Sequence, residues 1–193
     1  MLLRPILRQA TRAAHCRVDG AFAPLDLERY GDYCSFLMAH AAVVLPLEAW
    51  AERTLAGQVL DDWPQRRRSD ALLQDLGWLG LQPPPSLAGM PPVGPASLLG
   101  VLYVLEGSRL GAQVLLRRVL AGPDARCRAA TAYLGHGAGQ ALWPGFLAQL
   151  EASEHARGEA GPVVAGAQFA FAAFERAAVL HAATRDLAHA TVL

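Results

Sequence analysis

The chain has 193 residues, of which 53% are hydrophobic and 18% are charged, so it has enough apolar material for one folded domain and global disorder is excluded. Its 17 basic and 17 acidic residues cancel, which argues against nucleic acid or an anionic membrane surface as the main partner. All 17 basic residues are arginine, so catalysis through a lysine Schiff base is excluded.

Apolar residues recur at helical spacing along the chain, and no stretch shows the alternation that is typical of a strand. A first helix is predicted through Val18 and ends near Gly20. A second helical stretch is predicted from Leu27 to about Leu55, with a kink or a break at Pro46 because proline cannot donate its helical hydrogen bond.

A run of three arginines, Arg66-Arg67-Arg68, follows an acidic turn. We expect a solvated helix start here, with a docking surface for an acidic reductase as the alternative. A short helix is predicted from Ala71 to Leu76. Residues 82–95 contain six prolines, which predicts an extended connector inside a single domain of residues 1–193.

A long and strongly apolar helix is predicted from Ala96 to Leu120. Because Glu106 and Arg109 lie near its centre, it is expected to be a buried helix rather than a membrane span. Three further helices are predicted, one through Tyr133, one over Ala138–Ala156 and one from Val163 to about His189. The predicted fold class is therefore all-α.

Three widely spaced cysteines, Cys16, Cys34 and Cys127, form no CxxC pair and no disulfide framework. This pattern is typical of a reducing compartment. The N-terminal stretch lacks the long apolar core and small-residue cleavage site of a signal peptide. A cytoplasmic location is expected.

One face of the first helix carries a candidate ligand set around His15. Asp19 follows at i+4, one turn along the same face, where its carboxylate can orient the imidazole and raise its basicity as a ligand. Arg8 lies at i−7 on that face and could meet an anionic group.

The long helix contains a second candidate in the segment Gly107-Ser108-Arg109-Leu110-Gly111-Ala112. Glycines at i and i+4 weaken a helix, so we expect a compensating role. One role is close packing of another helix. The other is a bare backbone surface for a flat ligand, and a flat ligand between such a surface and a histidine is the geometry of bound haem.

The segments Leu7-Arg8-Gln9-Ala10-Thr11-Arg12-Ala13-Ala14-His15 and Tyr103-Val104-Leu105-Glu106-Gly107-Ser108-Arg109-Leu110-Gly111-Ala112-Gln113 carry a family resemblance. The first resembles the proximal-helix motif of haem oxygenases. The second resembles the distal-helix motif of bacterial members, which supply biliverdin to bacteriophytochromes or release haem iron. The resemblance spans most of the chain.

The resemblance implies a helical bundle in which haem b lies between the first helix and a kinked distal helix. His15 would then be the axial iron ligand and Asp19 its hydrogen-bond partner. Arg8, Thr11 and Phe174 would complete the binding residues. Gly107, Ser108 and Gly111, which lie on one predicted helix, would form the catalytic face on the distal side.

Two features of the chain differ from many haem oxygenases. Ser108 stands directly after the first distal glycine, where many members carry an aspartate that organises water; a serine can still hold a water. The second glycine pair is reduced to Gly111-Ala112. Basic propionate contacts on the late helices are represented only by Arg176 and Arg185, so Arg8 is the better candidate.

By the same resemblance, haem is both the substrate and its own oxygen-activating cofactor. The products are biliverdin, iron and carbon monoxide. The implied partners are an electron donor, such as a ferredoxin or a flavin reductase, and a bacteriophytochrome as a candidate acceptor of biliverdin.

Three alternatives stay open on the sequence. One is a haem carrier or sensor that does not degrade its ligand. A second is a related helical scaffold for a di-iron oxygenase or a thiamin-degrading enzyme, for which His40, Glu48, Glu106 and His181 are the only set and lack an ExxH pair. The third is a helical interaction module.

Overall fold

The computed structural model describes residues 2–54, 56–156 and 160–190, with side chains up to residue 182. In these residues the regular structure is entirely helical, which confirms the predicted all-α class. The elements are α1 (Leu3–Phe22), α2 (Tyr30–Arg53), α3 (Ala56–Val59), α4 (Trp63–Arg66), α5 (Ser69–Trp78), α6 (Pro95–Ala121), α7 (Ala125–Ala129), α8 (Ala132–Gly135), α9 (Leu142–Ala152), a 3₁₀ turn (Glu154–Ala156) and α10 (Ala160–Ala190).

Helix α2 is not divided at Pro46, where the sequence predicts a kink or a break. A proline leaves the carbonyl four residues earlier without its helical donor. Here that carbonyl belongs to Ala42, and it accepts a hydrogen bond of 2.9 Å from the backbone N–H of Leu87. The proline-rich connector therefore satisfies the acceptor that the proline leaves open.

The connector between α5 and α6 has no helix or strand over residues 81–94. It is held against the bundle at Ala88, which is buried. Arg176 of α10 donates from Nη2 to the carbonyls of Leu87 and Ala88, at 3.4 and 3.2 Å. Arg176 is thereby engaged with the connector.

Helices α6 and α10 approach each other closely because a glycine on each side removes a side chain. A Cβ atom on Gly100 would lie 1.9 Å from the carbonyl oxygen of Val163, and one on Gly166 would lie 2.0 Å from that of Ser97. Neither distance is compatible with a side chain. These two glycines are therefore required by helix packing.

A single cluster of buried apolar residues extends from Leu3 on α1 to Ala177 on α10. Within the described residues, α2, α6 and the 160–182 part of α10 are each long and apolar enough to cross a membrane by length and composition. At least half of the most apolar stretch of each helix is buried inside the molecule, at 56% in α2, 56% in α6 and 50% in α10. The three helices thus pack against one another to form the core.

The arginine run 66–68 is not the solvated helix start that the sequence predicts. Arg66 is 1% exposed and Arg68 is 2% exposed, whereas Arg67 between them is half-buried. The prediction was wrong because the partners of the two buried arginines lie far along the chain, on α6 among others. Sequence spacing alone cannot reveal them.

The segment after α6 also differs from its prediction. The expected helix through Tyr133 is two short helices, and α8 is fixed by the buried carboxylate of Asp75, which accepts the backbone N–H groups of Ala132 and Tyr133 at 2.9 and 2.8 Å. Burial raises the pKa of Asp75. The ring of Tyr133 then lies against Arg68 and His40.

Candidate functional site

His15 and Asp19 form the pair that their spacing predicts. The Nδ1 atom of His15 lies 2.8 Å from Oδ2 of Asp19, and the two side chains are 62% and 66% exposed. Because a carboxylate accepts a hydrogen bond, it favours the tautomer with hydrogen on Nδ1. The other nitrogen, Nε2, has no partner among the described residues and is available as a ligand.

An aromatic ring from the last helix flanks His15. The residue is Phe171, whose ring centroid lies 5.6 Å from that of His15 at an interplanar angle of 63°. Phe174, which the sequence singles out, is buried and packs 5.3 Å from the ring of His40 instead. Phe171 also belongs to the buried apolar cluster, so its ring joins His15 to the core.

The two other predicted residues of α1 differ in exposure. Thr11 is buried, and its hydroxyl donates to the carbonyl of Leu7 at 2.7 Å, so its polar group is engaged within the helix. Arg8 is exposed, and its charge acts on Tyr103 of α6. Burial raises the pKa of Tyr103, and the positive charges of Arg4 and Arg8 oppose that shift.

The glycines of α6 belong to an uncovered apolar face. Gly107, Leu110, Gly111 and Val114 recur at i, i+3, i+4 and i+7, so they share one side of the helix. Leu110 is 59% exposed and Val114 is 51% exposed. A Cβ atom on Gly111 would meet nothing within 4 Å. Protein packing therefore does not explain the glycine at 111.

Gly107 lies at the covered edge of this face, against α9. A Cβ atom there would be 3.5 Å from the Cη2 atom of Trp143, which is ordinary van der Waals contact. Trp143 also packs 5.4 Å from the ring of Tyr103. The alternative of close helix packing thus applies in part to Gly107, but not to Gly111.

Ser108 borders the same face, and its hydroxyl is hydrogen-bonded to a buried arginine, Arg68. Its hydroxyl donates to the carbonyl of Leu105 at 2.8 Å and accepts from Nη2 of Arg68 at 2.9 Å. Arg68 also donates to the Leu105 carbonyl at 2.8 Å. Its contribution to the site was missed in the sequence, because the run around it indicated a solvated surface.

His40 of α2 lies in an aromatic surrounding next to Arg68. Its Nδ1 atom is 2.9 Å from the carbonyl of Phe36, which can only accept, so the neutral ring carries hydrogen on Nδ1. Burial lowers the pKa of His40 to about 4, and the charge of Arg68 acts in the same direction. The ring is therefore neutral near pH 7.

A buried ion network fixes the opposite side of α6. Glu106 accepts from Nη1 of Arg66 at 2.5 Å and from Nη2 of Arg109 at 2.7 Å. Arg109 also donates to Nδ1 of His136 at 3.1 Å. Burial, followed by the charge of Arg109, lowers the pKa of His136. The network attaches the glycine-containing part of α6 to the 66–68 segment.

The residues that could form a di-iron site are not assembled as one. In the part of the chain that the structure describes, no group of three or more histidine, cysteine, aspartate or glutamate side chains could hold a metal ion. Glu106 binds two arginines, and Glu48 accepts the backbone N–H groups of Arg68 and Ser69. The side chain of Arg185, a candidate anion contact, lies outside the described residues.

Comparison with known proteins gives one consistent result, although no protein-family model matches the chain. A haem oxygenase of Xanthomonas campestris pv. campestris (strain 8004) is 32% identical over 142 residues, which are 74% of this chain and 86% of that protein. The chain also resembles two solved bacterial structures.

The first is the NO- and CO-bound haem oxygenase of Neisseria meningitidis, with a TM-score of 0.76 and 20% identity over 94% of this chain and 92% of that chain. The second is a haem oxygenase of Leptospira interrogans, with a TM-score of 0.72 and 22% identity over 93% of this chain and 100% of that chain. These two likenesses establish a shared fold.

Proposed function

The chain belongs to the haem oxygenase family, whose members degrade haem to biliverdin, and we propose that it does so with haem held between His15 of α1 and the glycine face of α6. The reaction consumes O₂ and reducing equivalents and yields biliverdin, iron and carbon monoxide. The observation that carries the proposal is an outward imidazole with an available Nε2 in a chain whose apolar helix α6 exposes bare backbone at Gly111.

His15 has the properties that an axial iron ligand requires. Its Nδ1 hydrogen is bound by Asp19, which fixes the ring and makes Nε2 the ligating atom. A neutral imidazole lacks the strong electron donation of a thiolate, which favours cleavage of the O–O bond. Such a ligand suits a reaction in which the macrocycle itself is oxidised.

The uncovered face of α6 fits a large flat apolar ligand. Leu110 and Val114 leave much of their side chains exposed, and Gly111 places no side chain between them and solvent. Covering this face with a macrocycle would remove apolar surface from water. The same bare backbone leaves room for a small molecule between the helix and the ring.

We propose that Arg8 recognises a haem propionate, with Arg4 and Tyr103 beside it. Arg8 is exposed and lies two turns from His15 on the same face of α1. The charges of Arg4 and Arg8 both act on Tyr103, and guanidinium and hydroxyl groups can all donate to a carboxylate. These are the donors that a carboxylate prefers.

Haem supplies the iron that binds and activates O₂, and one of its own carbon atoms is oxidised. The protein's part is to orient the ring, limit the access of water and place hydrogen-bonding groups beside it. Gly107 and Gly111 expose the helix, and Ser108 is the polar side chain next to them. Thr11 and Phe174 remain proposed contributors through packing around α1 and α10.

The proposed reaction also requires an electron donor, and its product requires an acceptor. Haem and O₂ do not provide the electrons, so an external donor such as a ferredoxin or a flavin reductase is part of the proposal. A bacteriophytochrome is the proposed acceptor of biliverdin. A cytoplasmic location would give access to both.

The proposed function is tested by titrating the protein with haemin and then supplying ascorbate or a reductase, with catalase present to remove free peroxide. We expect a one-to-one complex whose Soret band decays while a biliverdin band appears, and biliverdin identified by mass spectrometry. A complex that keeps unchanged haem with several working reductants would instead indicate a carrier or sensor, which the family membership does not favour.

A further inference from the structure

Arg68 is a buried cation without a carboxylate partner for its guanidinium. It is 2% exposed. Each of its neighbours in the run has acidic partners, since Arg66 binds Asp62 and Glu106, and Arg67 binds Glu52 and Asp70. No ion pair to the Arg68 guanidinium is found among the described residues. A buried charge without a paired carboxylate is costly, and other contacts must offset that cost.

Three different elements hold the arginine in place. Its backbone N–H is bound by both carboxylate oxygens of Glu48 on α2, at 2.9 and 3.0 Å. Its guanidinium carbon lies 4.9 Å from the ring centroid of Tyr133 on α8. Its Nη2 atom donates to Leu105 and Ser108 on α6. The direction of the side chain is therefore well determined.

The consequence for Ser108 follows from counting its hydrogen bonds. A hydroxyl has one donor and two acceptor positions. The donor is used on the Leu105 carbonyl, and one acceptor is used by Arg68. One lone pair is left. As long as Arg68 is in place, Ser108 can only accept a further hydrogen bond.

We propose that Arg68 is a positioning residue for haem cleavage: it fixes Ser108 as a pure hydrogen-bond acceptor beside Gly107 and places its guanidinium charge behind it. Ser108 then holds a water molecule that must point one hydrogen at the serine. The second hydrogen of that water is left to face the bound substrate. This inference rests on the proposed function.

The positive charge makes a separate, spectroscopic prediction. A cation directly behind Ser108 favours negative charge on the side of the ring that would face α6. The visible spectrum of the ferric complex should therefore have a pH midpoint, and that midpoint should be lower with the Arg68 charge than without it. Replacing the charge of Arg68 should move that midpoint upward.

The test compares Arg68→Met, Arg68→Lys and Ser108→Ala, with Arg67→Met as the matched control from the same run. Each protein is checked for helical content and thermal unfolding, titrated with haemin, and assayed for the pH midpoint of the ferric spectrum and for turnover. We expect Arg68→Met to raise the midpoint by roughly half a unit or more and to slow turnover by about tenfold or more.

The other variants separate charge from orientation. Arg68→Lys keeps the charge but not the planar fork, so it should leave the midpoint near that of the wild type while turnover falls. Ser108→Ala should slow turnover, and the double variant with Arg68→Met should be no slower than Arg68→Met alone, because both changes remove one interaction. Arg67→Met should match the wild type in both measurements.

The inference is overturned if Arg68→Met folds and binds haem, its pH midpoint is not shifted, and its turnover rate is within twofold of that of the wild type. If Arg68→Met does not fold, the Ser108→Ala variant tests the inference, since it removes only one partly buried hydroxyl. Unchanged turnover in Ser108→Ala overturns the inference. Wild-type protein that binds haem without degrading it would contradict the proposed function itself, so the two failures are distinguishable.

Discussion

The Nδ1 atom of His15 lies 2.8 Å from the Oδ2 atom of Asp19 one helical turn later, and no described residue hydrogen-bonds to the other ring nitrogen. This single contact fixes the tautomer and the direction of the imidazole. Because Asp19 supports the iron ligand without being one, loss of its carboxylate should weaken haem binding without abolishing it.

Substitution of Asp19 by asparagine or alanine should weaken haem binding by about 10- to 100-fold while the histidine-ligated Soret band is retained at saturating haemin. Haemin titration followed at the Soret maximum measures both quantities. Asp70→Ala, which removes another highly exposed helical carboxylate, is the control and should bind as the wild type does. Equal affinity of Asp19→Ala and the wild type would contradict the role of this pair.

The glycines of α6 should divide into two groups by their response to substitution. Gly111→Leu should fold normally, since a side chain there meets open space, yet it should lose haem binding or turnover because it fills the proposed ring surface. Gly100→Ala should instead destabilise the apoprotein. Its Cβ atom would lie 1.9 Å from a backbone oxygen of α10, so unfolding should become easier by about 1–3 kcal/mol or more.

Thermal unfolding of the two apoproteins and haemin titration of both distinguish these effects. A Gly111→Leu protein that binds and degrades haem like the wild type would show that the uncovered face is not the substrate surface.

The buried network around Glu106 should dominate the stability of the 66–68 segment. Glu106→Ala leaves two buried guanidinium groups without their shared carboxylate and should lower the free energy of unfolding by about 3–5 kcal/mol. Glu52→Ala removes the partner of the neighbouring, half-exposed Arg67 and should cost at most about 1 kcal/mol. Urea unfolding measures both, and equal losses would contradict the burial of Arg66.

His40 should make the apoprotein less stable in mild acid. Its pKa is lowered to about 4 in the folded state, so the unfolded chain binds a proton first, and the stabilisation is complete above pH 6.5 and is lost as the pH falls from 6.5 toward 4. Between pH 7 and pH 5 the wild type should lose about 1–2 kcal/mol more than His40→Phe. The lowered pKa values of His136 and His181 act in the same direction in both proteins. Equal losses in urea unfolding would contradict this account.

The features that sequence alone predicts correctly are local. His15 and Asp19 lie on one helix at i+4, so their contact depends only on helix geometry. The all-α class follows from apolar spacing that the whole chain repeats. Helix boundaries were less accurate where a short motif is stabilised from elsewhere, as with α8, whose first N–H groups are capped by Asp75.

The features that sequence misses depend on partners that are distant along the chain. The sequence predicts that Arg66 and Arg68 are solvated, because the residues that accept their hydrogen bonds, Glu106 and Ser108, each lie 40 residues later. Pro46 does not divide α2, because the connector supplies a donor to Ala42. The two candidate roles of the α6 glycines could be separated only once the structure placed Trp143 near Gly107 and nothing near Gly111.

The most direct test of the account is the fate of haem in one-to-one complexes of the wild type and His15→Ala under the same reductant. The account predicts that the wild-type Soret band decays into that of biliverdin, whereas His15→Ala lacks the histidine-ligated Soret band and forms no biliverdin unless imidazole is added. A His15→Ala protein with the wild-type spectrum and the wild-type rate of biliverdin formation would contradict it.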